Sequence, residues 1–192
     1  MKLFSPIFFL IFFLLSTFHC KDNRPNLYLP DPPKGGNFSL QSENRKISLD
    51  ELKGNIVILY FGFISCPDVC PTTLSIFANA LKELNHISRS KVKFIFIDVD
   101  PERDSLERIT AYTNFFHPDI IPMTGSIDEI KKVAELYGAS FHKVDIKSKM
   151  GYTMDHSTNL FVINPSGKWV ITLPHGTKKE TILKTINDLL NE

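Results

Sequence analysis

The 192-residue chain is poor in cysteine and contains only Cys20, Cys66 and Cys70. A structural zinc site normally takes four protein ligands, and no further cysteines are present to supply them. Cys66 and Cys70 are separated by three residues, whereas Cys20 stands alone near the start of the chain. The scarcity of cysteine therefore directs attention to the pair at 66 and 70.

The chain also lacks an excess of charge of either sign. Its net charge is +1, and the only charged residue among the first nineteen is Lys2, so the remainder of the chain is neutral. No basic patch or Lys/Arg run stands out, which argues against nucleic acid as a partner. The composition, 43% hydrophobic and 22% charged, is typical of a soluble globular protein.

No apolar run reaches the length of a membrane-spanning helix. Residues 3–18 are nearly all Leu, Ile and Phe, but a span needs about 20 apolar residues. Residues 1–20 therefore resemble a targeting segment, and Cys20 resembles the lipid-modified cysteine of a bacterial lipoprotein. A cleaved signal peptide and an uncleaved helical anchor are the alternatives. We favour lipid attachment because the other two give no reason for a cysteine here. All three place the domain outside the cytoplasm, where disulfides are permitted.

The rest of the chain divides into a tether and one domain. Residues 21–36 are rich in proline, glycine and polar residues, which predicts a tether without a core of its own. Residues 37–192 show no internal repeat and no second domain, and their length suits one domain with a substantial core.

Apolar periodicity predicts an α/β domain. An N-terminal β-hairpin is predicted at 38–49, and later strands at 56–63, 92–99, 140–146, 159–164 and 168–173. Helices are predicted from Pro71, from a cap at Asp104, from a cap at Ser126 and from a cap at Thr177. Strands that alternate with helices imply a largely parallel sheet, and the closing hairpin makes it mixed. This order is that of a thioredoxin-like fold, a mixed central sheet flanked by helices, with an extra N-terminal hairpin.

The two cysteines lie where the strand 56–63 passes into a helix. Each is followed by a proline, which disfavours the α region for the cysteine itself. We therefore expect residues 66–70 to form a loop, with Cys70 as N-cap and Pro71 as the first helical residue. Both sulfurs would then lie at the positive end of a helix, which lowers a thiol pKa.

Such a pair has several possible uses. The three-residue gap permits a disulfide between Cys66 and Cys70. It also relaxes the tight geometry that favours rapid thiol–disulfide exchange, and it leaves room for a metal ion between the two sulfurs. Two soft thiolates select Cu(I) or Zn(II), and Cu(I) tolerates two or three ligands. A thiol peroxidase is disfavoured because no arginine lies near Cys66 or Cys70 in the sequence. A purely structural disulfide is disfavoured by the position at a strand–helix junction.

One histidine would complete a copper site, and His156 is the best candidate. It directly precedes the predicted strand 159–164, and in a thioredoxin-like sheet the loop entering that strand packs against the cysteine loop. Asp155 is a candidate to orient its imidazole. The remaining histidines lie in the leader or at the ends of helices and strands, without evident partners: His19, His86, His117, His142 and His175.

Three sequence blocks resemble the Sco/SenC family. They are Tyr60-Phe61-Gly62-Phe63-Ile64-Ser65-Cys66-Pro67-Asp68-Val69-Cys70-Pro71-Thr72-Thr73-Leu74, Asp98-Val99-Asp100-Pro101-Glu102-Arg103-Asp104 and Asp155-His156-Ser157. The resemblance covers about residues 37–190. It implies a membrane-anchored, thioredoxin-like copper protein that assists assembly of cytochrome c oxidase, with Cys66, Cys70 and His156 as copper ligands. It assigns no ligand to the block 98–104.

The resemblance implies a metallochaperone, a carrier and not a catalyst. Its partner would be the copper-bearing subunit of the oxidase or another copper protein, on the periplasmic side of a membrane. The alternative is a thiol–disulfide oxidoreductase in which Cys66 and Cys70 form the redox-active pair and keep the copper-site cysteines of the oxidase reduced.

Overall fold

The structure is a computed structural model that describes residues 33–191. The predicted leader 1–20, lipid attachment at Cys20 and the tether up to residue 32 lie outside the described residues. Among the described helices, none combines the length and hydrophobicity needed to cross a bilayer.

The described residues form nine strands and five α-helices. The strands are β1 (Ser39–Gln41), β2 (Lys46–Ser48), β3 (Ile56–Gly62), β4 (Val92–Asp98), β5 (Ile120–Met123), β6 (Phe141–Asp145), β7 (Tyr152–His156), β8 (Leu160–Ile163) and β9 (Trp169–Leu173). The helices are α1 (Val69–Glu83), α2 (His86–Ser90), α3 (Leu106–Phe116), α4 (Ile127–Leu136) and α5 (Lys179–Leu190), with one 3₁₀ turn at Leu49–Leu52.

The central sheet has five strands in the order β5-β4-β3-β8-β9. β3, β4 and β5 are parallel, whereas β8 runs antiparallel to β3 and β9 antiparallel to β8. Every residue of β3 is buried, as expected for a central strand covered on both faces. α1 contacts α3 and α5, and Phe77 of α1 stacks on Phe94 of β4. This mixed sheet with flanking helices confirms the predicted thioredoxin-like fold class.

The N-terminal hairpin is present, with β1 antiparallel to β2. Residues just before it, which the sequence assigns to the tether, contact the end of α4. The Gly35 amide donates to the Leu136 carbonyl at 2.9 Å, and the Tyr137 hydroxyl donates to the Gly36 carbonyl at 2.9 Å. The domain boundary at residue 37 stays a prediction.

Helix α1 begins earlier than the prolines suggest. Its N-cap is Asp68, so Cys70 is the second helical residue and not the cap, and Pro71 is the third and not the first. Amides in the first turn have no acceptor within the helix, so proline costs no hydrogen bond at any of these positions. The restriction that Pro71 places on Cys70 is a bias, and here the helix overrides it.

A second hairpin, β6–β7, forms a separate two-stranded sheet. Its strands pair from Phe141 opposite His156 to Asp145 opposite Tyr152. The sequence predicted a strand near β6 but placed His156 in the loop that enters the strand 159–164, whereas the structure has β7 there. His156 is thus the last residue of a strand, and three residues separate it from β8.

Candidate metal centre

Cys66, Cys70 and His156 come together at the carboxyl end of β3. Cys66 lies in the loop after β3, Cys70 lies in the first turn of α1, and His156 ends β7. One ligand atom from each, the two Sγ atoms and a ring nitrogen, lie within 4.8 Å of one another. Three separate elements therefore deliver three donor atoms to one point.

The loop between β3 and α1, residues 63–68, is called the cysteine loop here, and it is held by hydrogen bonds from backbone amides in and next to it. The Cys66 amide donates to the Phe63 carbonyl at 3.3 Å, and the Cys70 amide donates to the Cys66 sulfur at 3.4 Å. Cys70 is completely buried, whereas Cys66 keeps 9% of its surface exposed. Cys66 is therefore the sulfur nearer to solvent.

The imidazole of His156 is oriented by the backbone next to it. Its Nδ1 lies 3.0 Å from the Ser157 carbonyl oxygen. A carbonyl only accepts, so Nδ1 is the donor in this contact, and Nε2 is the ring atom that faces the two sulfurs. Nε2 lies 3.5 Å from the Cys70 sulfur. The ring also packs edge-on against Tyr60 and Phe63, with centroid distances of 6.2 and 5.7 Å.

The two thiols differ in acidity. A hydrogen bond from Cys70, together with hydrogen bonds from His156 and from the Asp68 and Cys70 amides, lowers the pKa of Cys66 to about 3 against the opposing effect of burial. The same hydrogen bond, burial and the neighbouring Cys66 charge raise the pKa of Cys70. The expectation that both thiols are acidified is therefore right for Cys66 only, because two adjacent thiols share one proton.

The donor set fits a soft metal ion of low coordination number. An ion bound to three donors at about 2.2 Å in a trigonal arrangement separates them by about 3.8 Å. The observed separations, at most 4.8 Å, reach this value with small side-chain movements. Among the described residues no fourth cysteine, histidine or carboxylate joins the cluster, so a closed tetrahedral site is not formed.

Two residues beside the site were not identified from the sequence. The Tyr60 hydroxyl donates to the Cys70 sulfur at 3.5 Å. A Cβ on Gly62 would lie 3.0 Å from that sulfur and 2.8 Å from a ring carbon of Phe96, so glycine provides the space that Cys70 occupies. A glycine inside a buried strand signals such a close approach, and this signal was available in the sequence.

Asp155 does not orient His156. Its carboxylate lies 3.7 Å from His142 Nε2 on the exposed face of the hairpin, because adjacent residues of a strand point to opposite faces. The Ser157 carbonyl takes the role proposed for Asp155. Of the other histidines within the described residues, His117 is buried and accepts from the Asp119 amide at 3.1 Å, while His86 and His175 are exposed.

The block 98–104 lies beside the site and supplies no ligand to the cluster. Asp104 was predicted to cap α3, but the cap is Ser105, which accepts from the Arg108 amide. Asp104 is buried and accepts from the Ile64 amide at 3.1 Å. Arg103 forms an ion pair with the Asp100 carboxylate.

Comparison with known proteins agrees with these features. The family model described as SCO1/SenC matches residues 28–191. The chain is 36% identical over 156 residues to "Protein SCO2, mitochondrial" of Saccharomyces cerevisiae, covering 80% of this chain and 52% of the relative. It is 38% identical over 137 residues to "Protein SCO1 homolog 1, mitochondrial" of Arabidopsis thaliana, covering 71% of this chain and 41% of the relative. The chain thus spans about half the length of these curated relatives.

A solved structure shows the same fold. The crystal structure of Arabidopsis thaliana ScoI with copper bound superposes with a TM-score of 0.75 at 33% identity, covering 82% of this chain and 98% of that one. The family model, the curated relatives and the fold all agree. The chain belongs to the SCO1/SenC family.

Proposed function

We propose that this domain is a copper carrier that serves the assembly of cytochrome c oxidase. It holds copper through Cys66, Cys70 and His156 and passes it to the binuclear copper centre of the oxidase. The observation that supports this most directly is the convergence of two sulfurs and one imidazole nitrogen within 4.8 Å. The copper-bound structure of an Arabidopsis relative with the same fold supports copper as the ion.

The donor set suits transfer more than storage. Thiolates are soft ligands that favour Cu(I), and Cu(I) is stable with two or three of them. An ion with three ligands leaves a direction open to an incoming thiolate of the client, which binds before an existing ligand leaves. The exposed edge of Cys66 marks that direction, because Cys70 is completely enclosed.

A second candidate function is thiol–disulfide exchange with the copper-site cysteines of the oxidase. The supporting observation is that Cys66 and Cys70 are free, with the accessible sulfur in front of the buried one. In this arrangement Cys66 attacks a client disulfide and Cys70 resolves the mixed disulfide, so that the client is reduced and the pair is oxidised. His156 separates the two functions, because copper binding needs it and exchange does not.

The test is a Cu(I) titration of the purified, reduced chain in competition with a chromogenic chelator. We expect close to equimolar binding by the unaltered chain and a large loss of affinity in His156→Ala. His142→Ala is the matched control, since it lies on the same hairpin but on the exposed face. Equal affinity of both variants would remove His156 from the site. No binding by the unaltered chain would favour exchange.

We propose further that residues 1–20 export the domain and that Cys20 carries a lipid, which places the site on the periplasmic side of a membrane. The apolar run that ends at Cys20 supports this reading. The test compares the chain with Cys20→Ser by membrane fractionation and by the mass of the N-terminal peptide. Equal membrane retention of the two chains, with no lipid mass on the Cys20 peptide of the unaltered chain, would contradict lipid attachment.

A further inference from the structure

The segment between β4 and α3, residues 99–105, contacts both the loop that carries Cys66 and the hairpin that carries His156. We call this segment the bridge loop. It follows β4, the strand next to β3 in the sheet. Its contacts reach towards the cysteine loop on one side and towards the β6–β7 hairpin on the other.

On the cysteine side the bridge loop holds the residues that lead to Cys66. The Val99 amide donates to the Gly62 carbonyl at 2.8 Å. The Asp104 carboxylate accepts from the Ile64 amide at 3.1 Å. These two hydrogen bonds fix the chain immediately before the first sulfur.

On the histidine side the contact is centred on Arg103, Asp100 and Tyr152, and Lys143 of β6 also pairs with Glu102 of the bridge loop. Arg103 Nη1 donates to the Tyr152 carbonyl at 2.8 Å, and the guanidinium carbon lies 3.7 Å from the centre of the Tyr152 ring. The Tyr152 hydroxyl donates to Asp100 Oδ1 at 2.8 Å, and Asp100 Oδ2 accepts from Arg103 Nε. Each of the three residues thus contacts the other two.

This contact matters because the hairpin is not part of the central sheet. Among the described strands β6 and β7 pair only with each other, and an isolated two-stranded hairpin is marginally stable. Its placement therefore depends on side-chain contacts, and Tyr152 lies at the start of the same strand that ends at His156. A shift of β7 moves Nε2 away from the two sulfurs.

We infer that Arg103 and Tyr152 are positioning residues for the metal centre: through the bridge loop they hold the hairpin so that His156 faces Cys66 and Cys70. This inference rests on the proposed function, in which those three residues bind copper. An Arg–Asp pair with a buried carboxylate contributes little net stability. The Arg103 guanidinium instead fixes the position of Tyr152, because its N–H groups point in set directions and its planar face stacks on the ring.

The test uses Arg103→Lys, which keeps the charge and removes the fork. We expect about tenfold weaker Cu(I) binding, the scale for residues that support metal ligands. Arg45→Lys is the matched control, because Arg45 pairs with Glu51 at the exposed surface. If the unaltered chain binds no copper, the proposed function fails. If it binds copper and Arg103→Lys binds equally well, this inference fails and the proposed function stands.

A double-mutant cycle separates positioning from general stability. If Arg103 acts through His156, Arg103→Lys weakens binding in the unaltered background but not in the His156→Ala background. Equal losses in both backgrounds would overturn the inference.

Tyr152→Phe is the second test variant if Arg103→Lys does not fold, since it removes only the hydroxyl. We then expect weaker binding and a reduced nitrogen coupling in the electron paramagnetic resonance spectrum of the Cu(II) form. An unchanged spectrum and affinity would overturn it.

Discussion

The Cys70 sulfur lies 3.5 Å from His156 Nε2, although 86 residues separate the two along the chain. The two residues are positioned by different elements of the fold. Cys70 is fixed by the start of α1, whereas His156 is fixed by the end of a hairpin outside the central sheet. The site is therefore assembled by the tertiary fold, and its geometry responds to changes in the residues packed around it.

Gly62→Ala should disturb the site by crowding. The added Cβ would lie 3.0 Å from the Cys70 sulfur and 2.8 Å from a Phe96 ring carbon, and buried neighbours have little room to move. We expect a loss of about 1–3 kcal/mol in the free energy of unfolding together with weaker Cu(I) binding. Gly36→Ala is the control, because the atoms nearest to its Cβ would be those at the flexible end of Leu136. Denaturant melts and chelator competition measure both effects, and equal behaviour of the two variants would contradict the argument.

Tyr60→Phe should change the electronic properties of the bound metal more than its affinity. The hydroxyl donates to the Cys70 sulfur at 3.5 Å, and a hydrogen bond to a metal-bound thiolate reduces its donation to the metal. Its loss favours Cu(II) over Cu(I). For a net hydrogen-bond contribution of about 0.5–1.5 kcal/mol, the copper reduction potential should fall by about 20–60 mV.

Tyr137→Phe is the matched control for Tyr60→Phe. Its hydroxyl donates to the Gly36 carbonyl, so its removal leaves the metal centre untouched. Voltammetry of the copper-loaded chain measures the potential. A potential that is unchanged in Tyr60→Phe, or that rises, would show that the hydroxyl does not act on the sulfur.

Much of the fold could be predicted because its elements follow apolar periodicity. The buried strands β3 and β4 and the α4 capping box of Ser126 and Glu129 match the sequence pattern closely. The candidate ligand His156 could be predicted from topology, since the strand after it had to lie beside β3. These features depend on local sequence or on the general layout of the fold.

The remaining features depend on contacts that no local pattern records. The spacing of Asp104 and Glu107 matches a capping pattern, yet Asp104 turns inward to an amide forty residues earlier in the chain. Burial alternates along only part of β7, because the β6–β7 hairpin lies outside the central sheet. The sequence pattern for a strand is therefore weak there. The acidity of Cys66 and Cys70 differs because the Cys70 thiol donates a hydrogen bond to Cys66 and is the more buried of the two, and spacing alone does not reveal which thiol takes which role.

Alkylation should distinguish the two sulfurs. Cys66 keeps some exposed surface and its pKa is lowered to about 3, whereas Cys70 is completely buried and its pKa is raised. We expect iodoacetamide to modify Cys66 first in the apo chain, with a rate that does not fall between pH 8 and pH 5 as that of an ordinary thiol does. Fragmentation mass spectrometry locates the adduct, with Cys20 replaced by serine throughout. First modification at Cys70 would contradict this order.

The buried carboxyl groups of Asp98 and Asp104 should make stability depend on pH. Burial, reinforced by the Asp104 carboxylate, raises the pKa of Asp98 to about 9, and burial also raises the pKa of Asp104. Each keeps an Oδ1 atom that is buried and has no hydrogen-bond partner in the described part of the chain. A side-chain hydrogen bond joins the two carboxyl groups, and it favours a proton held on Asp98.

The direction of the pH effect depends on whether the folded or the unfolded chain releases the Asp98 proton at the lower pH. Between about pH 4 and pH 9 the folded chain keeps the Asp98 proton and the unfolded chain releases it, so the free energy of unfolding falls as pH rises. Asp98→Asn replaces the shared proton by an amide hydrogen that does not titrate. We therefore expect this variant to gain stability relative to the unaltered chain as pH rises from 5 to 8.5, measured by urea melts at fixed salt. The exposed Asp128→Asn is the control and should run parallel to the unaltered chain. If Asp98→Asn also ran parallel to it, the carboxyl pair would not hold a proton, because only a group that titrates differently in the two states can change the slope.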